Sequence, residues 1–290
     1  MRFTEWAWRG FVYRTRWLRQ AYRQGKRLTG AITDRRVDFM IVGTQKGGTT
    51  ALDEYLRPHP EICMAQEKEP HFFNQDRHFR NGAPDYAPYQ AFFSPKPRHK
   101  LIGEATPSYM YFPDVPARLK EYNPDLKLIA LLRDPIARAY SQWNMDRRAR
   151  KRPRPFGEAI RAEQRARENG TMPPRGPEAI TYIHRGFYSE QLERLWQHFP
   201  REQTLILRNE ELRDRPRETL DRVCSFLGVP PLAEVKHREA LASSYKSPMN
   251  EADRAFLREV FEPEVRRLEA LLGWDLGGWL TSDGSATAPK

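Results

Sequence analysis

Cysteine and long apolar runs are scarce in this sequence of 290 residues. Its two cysteines, Cys63 and Cys224, lie far apart and lack CxxC spacing, so the pattern indicates neither a disulfide framework nor a zinc site. No stretch approaches the roughly 20 apolar residues of a membrane-spanning helix, and no apolar signal core follows the amino terminus. We therefore expect no metal site and a reducing, cytoplasmic location.

Positive charge, in contrast, is abundant. The sequence has 49 Lys and Arg against 38 Asp and Glu, which gives a net charge of +11. This excess predicts an anionic partner, such as a nucleotide, a nucleic acid, a sulfated or carboxylated glycan, or an acidic lipid. With 39% hydrophobic and 12% aromatic residues, the chain is not of the disordered class and is long enough to bury a substantial core.

Much of the positive charge lies in residues 1–36, which hold ten Arg or Lys and two acids. Four aromatic residues of this segment recur at intervals of three, seven and four residues: Phe3, Trp6, Tyr13 and Trp17. A helix would gather these rings on one face, with arginines around them. Such a helix suits an anionic membrane surface, peripheral to the inner face, and the alternative is a helix that packs its rings on the domain.

The segment 38–56, DFMIVGTQKGGTTALDEYL, predicts a strand, a tight loop and a helix. Residues 38–42 form a short apolar run with β-branched members, and residues 50–56 combine good helix formers with apolar residues at helical spacing. Gly47 and Gly48 allow the loop backbone to approach a ligand closely. The free amides at the start of the following helix then form a cradle for an anion.

The loop resembles a nucleoside triphosphate loop but differs from it in the position of its lysine. Gly43 and Gly48 have the expected interval, yet Thr49 stands where a Walker loop carries lysine, and Lys46 lies inside the loop. Lys46 can still neutralise a phosphate-like group, whereas the ligand arrangement for Mg²⁺ is no longer assured. The pattern favours an anionic nucleotide that reacts without a metal.

Short apolar runs alternate with amphipathic segments along the rest of the chain. Strands are predicted at 38–42, 62–64, 101–105, 126–132 and 204–207, and later helices at 188–199, 216–227 and 251–272. This alternation predicts an α/β fold with a P-loop-like, doubly wound, largely parallel sheet flanked by helices. We assign residues 37–281 to this single domain and residues 282–290 to a disordered tail.

Ligands of an open parallel sheet bind beyond the carboxyl ends of its strands. The first strand presents the loop 45–50, and a later strand presents Arg133, with Ser141 about two helical turns further on. Lys68, Glu69 and His71 follow the short strand after the first helix. Two separated anion sites, one at the loop and one at Arg133 and Ser141, imply a nucleotide phosphorylated at two ends.

Three stretches in this order, TQKGGTTAL, HPEICMAQEKEPHFF and RDPIARAYS, resemble the sulfotransferases that use 3'-phosphoadenosine 5'-phosphosulfate, especially the heparan-sulfate-type branch. The resemblance covers most of residues 38–275 and includes GFYSEQLERLWQHFP. It implies an enzyme that moves a sulfuryl group from this donor to a hydroxyl or amine, on a carbohydrate or glycolipid, without a metal.

The resemblance also implies roles for single residues. The donor site would comprise Gln45, Lys46, Gly47, Gly48, Thr49, Thr50, Arg133, Ser141, Tyr245 and Lys246. The loop 45–50 would hold the 5'-phosphosulfate with Lys46 on its bridging region, and Arg133 and Ser141 would hold the 3'-phosphate. Glu69 would be the base that takes the acceptor proton. Lys68 and His71 would lie beside it at the acceptor, with His71 as a positioning residue or second candidate base.

The chain departs from the glycosaminoglycan branch at residues 104–107, which read Glu-Ala-Thr-Pro where that branch has Glu-Lys-Thr-Pro. The missing lysine lies near the acceptor in the family. Donor use is therefore unaffected, while the acceptor could be a polysaccharide, a glycolipid or a smaller alcohol. The run 147–154 has six basic residues and is either a grip for an anionic acceptor or a solvated face. Glu69 beside Lys68 is likewise either catalytic or part of a surface ion pair.

Two other functions stay open on the residues alone. A P-loop kinase-like transferase would need Mg²⁺ ligands, and the displaced Lys46 speaks against it. A non-catalytic basic protein that binds nucleic acid or membrane would show salt-sensitive binding without nucleotide dependence. Neither accounts for Glu69, Arg133 and Ser141 together, and we expect no nucleic-acid partner.

Overall fold

The structure is a computed structural model and describes residues 33–80, 82–149, 154–171, 181–235 and 247–281. Its strands are β1 (Phe39–Gly43), β2 (Ile62–Met64), β3 (Leu101–Ala105), β4 (Lys127–Leu132) and β5 (Thr204–Arg208). They form one sheet in the order β2-β3-β1-β4-β5, and every neighbouring pair is parallel. The loops that follow β1, β3 and β4 therefore lie side by side at the carboxyl-terminal ends of the strands.

Helices connect these strands and extend the fold beyond them. They are α1 (Thr49–Leu56), α2 (Ala87–Gln90), α3 (Val115–Tyr122), α4 (Pro135–Ala149), α5 (Phe156–Glu168), α6 (Tyr188–Trp196), α7 (Asn209–Asp214), α8 (Pro216–Leu227), α9 (Glu251–Leu272) and α10 (Gly277–Thr281). Short 3₁₀ turns lie at Asp76–His78, His184–Gly186 and Arg201–Gln203. None of the helices in the described ranges is long and apolar enough to span a membrane.

Helices cover both faces of the sheet because successive side chains of a strand point to opposite sides. Met40 and Val42 of β1 pack in one core with side chains from α3, α6 and α9. Phe39 and Ile41 pack in a second core with side chains from α1 and α8. The predicted parallel, doubly wound α/β fold is thus confirmed.

Element boundaries differ from the sequence prediction by small amounts, but five helices were not predicted: α2, α3, α5, α7 and α10. The strands at 62–64 and 101–105 and the helices at 216–227 and 251–272 are confirmed, and the other strand ends shift by one residue. The helix predicted at 188–199 ends at Trp196, shortly before Pro200, which disfavours helical backbone at the preceding residue. Helix α5 was not predicted, because its apolar stripe is thin, with Phe156, Ala159 and Ile160 buried among charged neighbours.

Two predicted terminal segments lie mostly or wholly outside the described residues. Of the basic segment 1–36, the structure describes residues 33–36, and the tail 282–290 is not described. Arg35 donates hydrogen bonds to the carbonyls of His99 (3.0 Å) and Lys100 (2.7 Å), next to the start of β3. The described end of the basic segment therefore packs at the amino-terminal ends of the strands. The loops 45–50 and 68–71 lie at the opposite, carboxyl-terminal ends.

Candidate active site

The loop between β1 and α1 leaves no room for side chains at its two glycines. A Cβ added to Gly47 would lie 2.4 Å from the Leu131 carbonyl oxygen and 2.5 Å from Thr44 Oγ1. Gly48 precedes α1 with a φ of 98°, in the left-handed region that favours glycine. No side chain caps the first turn of α1, so its amides are available to an anion, as the sequence predicted.

Neighbouring strand ends hold this loop in place. Thr44 Oγ1 donates to the Leu131 carbonyl at 2.8 Å, and Arg133 donates to the Lys46 carbonyl at 3.2 Å. Asn209 Nδ2 donates to the Gly47 carbonyl at 2.9 Å. Asn209 was missed by sequence reasoning, although it directly follows β5 and the rule about strand ends that selected Arg133 would have selected it too.

Lys46 lies in an electrostatic environment that suits an anionic ligand. Burial lowers the pKa of its ammonium group, and the charges of Arg133 and Arg148 lower it further. Asp146 and Glu69 act in the opposite direction. Its backbone has a φ of 69°, which L residues adopt at a cost of roughly 1–2 kcal/mol. An anionic group near Lys46 would relieve the repulsion among these cations.

The second predicted anion site lies on α4. Arg133 follows β4, and its carbonyl accepts a hydrogen bond from Tyr188 Oη at 2.9 Å. Ser141 lies within α4, and its side chain is buried at 2% exposure. Tyr140 Oη donates at 2.9 Å to the carbonyl of Ser247, where the described chain resumes. Tyr245 and Lys246 lie outside the described residues.

Helix α4 begins with its own cap, which fixes Arg133 at the strand end. The Asp134 carboxylate accepts the amide of Ile136 at 2.8 Å, and Pro135 occupies the first helical position. Burial raises the pKa of Asp134 to about 6 despite these amide hydrogen bonds. Arg133 therefore lies between the end of β4 and the capped start of α4. Its side chain reaches the loop 45–50, where it donates to the Lys46 carbonyl.

The loop with the predicted base has an unusual backbone. Glu69 and His71 have φ values of 64° and 54°, and the Glu69 amide donates to the Ala105 carbonyl at 3.0 Å. Positive φ at residues other than glycine is uncommon and is concentrated at functional sites. The loop is thereby held at the carboxyl end of β3, beside the loop that follows β1.

Both oxygens of the Glu69 carboxylate have a cationic or ring-nitrogen partner. Oε1 lies 2.6 Å from Lys68 Nζ, and Oε2 lies 3.2 Å from His71 Nε2. Burial would raise the pKa of Glu69, but the hydrogen bond from His71 and the charge of Lys68 outweigh it and lower the pKa to about 2. The Lys68 side chain is only 17% exposed, so this contact is not an ion pair on open surface. The contact fits both the catalytic and the ion-pair interpretation.

Residues that follow β3 support this loop from beneath. His71 Nδ1 lies 3.2 Å from Asn74 Nδ2 and 3.4 Å from Ser108 Oγ. The amides of Phe72 and Phe73 donate to Tyr109 Oη at 3.1 and 3.4 Å. Tyr109 therefore fixes the main chain directly after His71.

A buried carboxyl group anchors that tyrosine. Glu104 is 0% exposed and accepts hydrogen bonds from Tyr89 Oη at 2.9 Å and Thr106 Oγ1 at 2.7 Å. It is also hydrogen-bonded to the Tyr109 hydroxyl. Burial raises the pKa of Glu104 to about 7, so near neutral pH a large fraction of it is uncharged. The next residue, Ala105, is 1% exposed and packs in the second core.

The basic run 147–154 is described only in part. Arg147 lies with its guanidinium carbon 4.9 Å from the ring centroid of Trp143, and residues 150–153 lie outside the described ranges. Arg148 is exposed, and its charge reaches Lys46. Within the described chain, no group of three or more His, Cys, Asp and Glu residues has an arrangement that could hold a metal ion.

Comparison with known proteins gives consistent matches. The sequence pattern of the sulfotransferase domain matches residues 36–260. Mouse heparan sulfate glucosamine 3-O-sulfotransferase 3B1 is 35% identical over 210 residues, which are 72% of this chain and 50% of that protein. Mouse bifunctional heparan sulfate N-deacetylase/N-sulfotransferase 3 is 30% identical over 294 residues, 86% of this chain and 32% of that protein.

One solved structure matches this chain over nearly the whole length of the solved protein. The sulfotransferase from Alicyclobacillus acidocaldarius superposes with a TM-score of 0.70 at 29% identity, over 84% of this chain and 99% of that one. The present chain spans about half the length of the 3-O-sulfotransferases that it matches.

Proposed function

The chain belongs to the sulfotransferase domain family, and on this premise we propose that it moves a sulfuryl group from 3'-phosphoadenosine 5'-phosphosulfate to a hydroxyl or amine of a carbohydrate acceptor. One observation carries the proposal. A partly buried lysine in a glycine-shaped anion cradle and an ionised glutamate come from neighbouring loops, and the charges of Lys46 and Glu69 influence one another. This arrangement supplies positive charge for a leaving phosphate and an acceptor for a proton.

The residues of the loop 45–50 fit the 5' end of such a donor. Glycine at positions 47 and 48 lets the loop pack closely against Leu131, Thr44 and Asn209, and the first turn of α1 has no side-chain cap that would compete with an anion for its amides. Gln45 Oε1 is buried without a hydrogen-bond partner in the described part of the chain. In our proposal this loop binds the phosphosulfate, and Arg133 and Ser141 bind the 3'-phosphate. Tyr245 and Lys246 remain predicted contributors.

Transfer in line requires alignment, positive charge at the leaving group and a base for the acceptor proton. The Lys46 ammonium would stabilise charge that grows on the bridging oxygen of the leaving nucleotide. Glu69, with a pKa of about 2, is ionised at any physiological pH but is a weak base. It would therefore accept a hydrogen bond first and take the proton as the acceptor oxygen loses basicity on bonding to sulfur. His71 and Lys68 would hold its two oxygens in position.

A carbohydrate acceptor follows from the relatives, whose names specify heparan sulfate glucosamine. The net charge of +11 suits such an anionic glycan. A glycolipid or a smaller alcohol would use the same groups for the chemical step, so the acceptor is the part of the proposal that needs a panel of compounds.

The test combines donor binding with transfer. We expect 3'-phosphoadenosine 5'-phosphate to raise the melting temperature, because it binds the native state at two anion sites, and ATP with Mg²⁺ to raise it less. Labelled sulfate from the donor should then appear on a heparan-type oligosaccharide and not in reactions without acceptor. An equal shift with ATP and Mg²⁺, or transfer to no member of a panel of polysaccharides, glycolipids and small alcohols, would contradict the proposal.

A further inference from the structure

Arg185 lies in the 3₁₀ turn His184–Gly186 and is not one of the predicted donor residues. Its guanidinium carbon lies 4.2 Å from the ring centroid of Tyr111 and 5.8 Å from that of Phe112. Its Nε donates to Thr181 Oγ1 at 2.9 Å. No carboxylate within the described ranges forms an ion pair with it. The ring and the threonine thus fix the plane of the guanidinium while leaving its terminal nitrogens without a carboxylate.

Two further arginines add positive charge around the same tyrosine. Arg194 donates to the carbonyl of Tyr111 at 2.9 Å. Arg138 is 0% exposed and donates to Gln142 at 2.8 Å and to a backbone carbonyl, while its Nε has no partner among the described residues. Burial lowers the pKa of Arg185 to about 10, and the charge of Arg138 contributes to this decrease.

Little negative charge acts on Arg138 and Arg185, whereas Glu190 and Asp114 both act on Arg194. Glu163 influences both Arg138 and Arg185, but burial raises its own pKa to about 7, so near neutral pH it carries only part of a charge. Asp146 also acts on Arg185 and on Lys46, and it accepts a hydrogen bond from Tyr182 Oη at 3.1 Å. The pair Arg138 and Arg185 therefore keeps a net positive charge in a partly desolvated place, where an anion is bound more strongly than in open water.

Hydrogen bonds connect this cluster to the predicted base. The Tyr111 amide donates to the Ser108 carbonyl at 3.2 Å, and Ser108 Oγ lies 3.4 Å from His71 Nδ1. His71 Nε2 in turn lies 3.2 Å from the Glu69 carboxylate. On the other side, Asp146 acts on both Arg185 and Lys46. Arg185 is thus linked to Glu69 through Tyr111, Ser108 and His71, and to Lys46 through the charge of Asp146.

We propose that Arg185, stacked on Tyr111, is an acceptor subsite that binds a carboxylate or sulfate group of an anionic sugar while a neighbouring hydroxyl or amine faces Glu69. The inference rests on the proposed function and specifies its acceptor as anionic. A guanidinium held over the face of a ring can still offer its terminal nitrogens for two parallel hydrogen bonds to such a group. It also supplies acceptor-side positive charge in a chain that has Ala105 in place of the lysine of the glycosaminoglycan branch.

The test measures acceptor binding rather than turnover. Three oligosaccharides of equal length are used with saturating 3'-phosphoadenosine 5'-phosphate: one of alternating uronate and N-acetylglucosamine, its carboxyl-reduced form, and its N-sulfated, carboxyl-reduced form. In Arg185→Gln we expect Kd to rise about tenfold or more for an oligosaccharide whose anionic group the subsite binds. Kd for the neutral, carboxyl-reduced form should stay within about twofold.

A matched control separates loss of the subsite from loss of a stacked arginine. Arg201 lies with its guanidinium carbon 4.0 Å from the ring centroid of Trp196. It precedes β5 and so lies at the amino-terminal ends of the strands, away from the loops 45–50 and 68–71. Arg201→Gln should leave all three Kd values unchanged. Arg185→Lys, which keeps the charge without the fork, should give a smaller loss than Arg185→Gln.

The outcomes distinguish the subsite from the proposed function. A loss for the uronate alone identifies a carboxylate, and a loss for the N-sulfated form alone identifies a sulfate; both support the subsite. Equal losses for charged and neutral oligosaccharides, no loss for either charged form, or no binding by the parent protein would overturn it. Arg185-dependent binding without any sulfate transfer by the parent would instead count against the proposed function alone.

Discussion

Replacing Glu104 by glutamine should remove much of the loss of stability that the protein suffers as pH rises through neutrality. The Glu104 side chain is 0% exposed, and its oxygens accept hydrogen bonds from Tyr89 and Thr106. Burial raises its pKa from 4.5 to about 7. A glutamine has the same shape and can hydrogen-bond to the same hydroxyl groups, since these can rotate, but it does not ionise.

The sign and size of the effect follow from this raised pKa. The folded state holds the proton more tightly than the unfolded state, so the contribution to stability is complete below about pH 4.5 and is lost as pH rises through about 7. At about 1.4 kcal/mol per unit of pH, the full difference amounts to about 3 kcal/mol. Because the group is fully buried, solvent screening reduces this figure little. Parent and variant should differ least at pH 5, and the variant should gain up to about 3 kcal/mol on the parent by pH 8.

The assay is denaturant unfolding of parent and variant at pH 5, 6.5 and 8, at constant ionic strength. Glu202→Gln is the matched control, because Glu202 is exposed and its replacement should leave the pH dependence of the parent intact. Asp134 and Glu163, whose pKa values burial also raises, remain in every protein and cancel in the comparison. A stability difference between Glu104→Gln and parent that is the same at all three pH values would refute the reasoning.

Three further predictions address the site and the amino-terminal segment. Glu69→Gln should lower turnover by roughly 10² to 10⁴-fold with unchanged affinity for 3'-phosphoadenosine 5'-phosphate. Lys46→Ala should lower both turnover and this affinity. Kinetics with a separate binding titration would show whether the two roles are distinct. If Glu69→Gln turns over at the parent rate, Glu69 is not the base and only the interpretation as an ion pair with Lys68 is left. Tyr109→Phe, which removes the oxygen that accepts the Phe72 and Phe73 amides, should lower kcat and leave nucleotide affinity unchanged. Tyr122→Phe, whose hydroxyl accepts the Val37 amide at 2.9 Å, is its control and should not change kcat. Deletion of residues 1–32 should abolish salt-sensitive binding to anionic vesicles, and vesicle binding that survives the deletion would mean that the basic segment is not the membrane contact.

The loop that we propose for the donor stands out in the sequence because its glycines and lysine are close together in the chain. Gly47, Gly48 and Lys46 lie within one strand-loop-helix unit. The steric need for Gly47, in contrast, arises partly from Leu131 in β4, which the sequence does not place beside the loop. Arg133 was predictable from a general rule about the carboxyl ends of parallel strands. The same rule covers Asn209, which was missed because the prediction stopped at strands followed by charged residues.

The support beneath the predicted base could not be derived from the sequence. No sequence pattern around Tyr109 indicates that its hydroxyl accepts the amides of Phe72 and Phe73, directly after His71. Nor does a sequence reveal that Glu104 is buried completely, which is the cause of its raised pKa. The positive φ values of Glu69 and His71 are equally invisible, because neither residue type signals a left-handed backbone.

The acceptor side shows most clearly why three-dimensional contacts are needed. Arg185 and Tyr111 are far apart in sequence, and their stacking depends on a 3₁₀ turn that packs on α4 and a turn that follows β3. The donor residues, in contrast, sit on loops tied directly to the ends of β1 and β4. In the site that we propose, positive charge for the donor is therefore fixed by the sheet itself, while positive charge for the acceptor comes from peripheral turns. Substitutions in those turns can change the acceptor without disturbing the donor loop, which is the physical basis for expecting Arg185→Gln to alter acceptor affinity and leave nucleotide affinity intact.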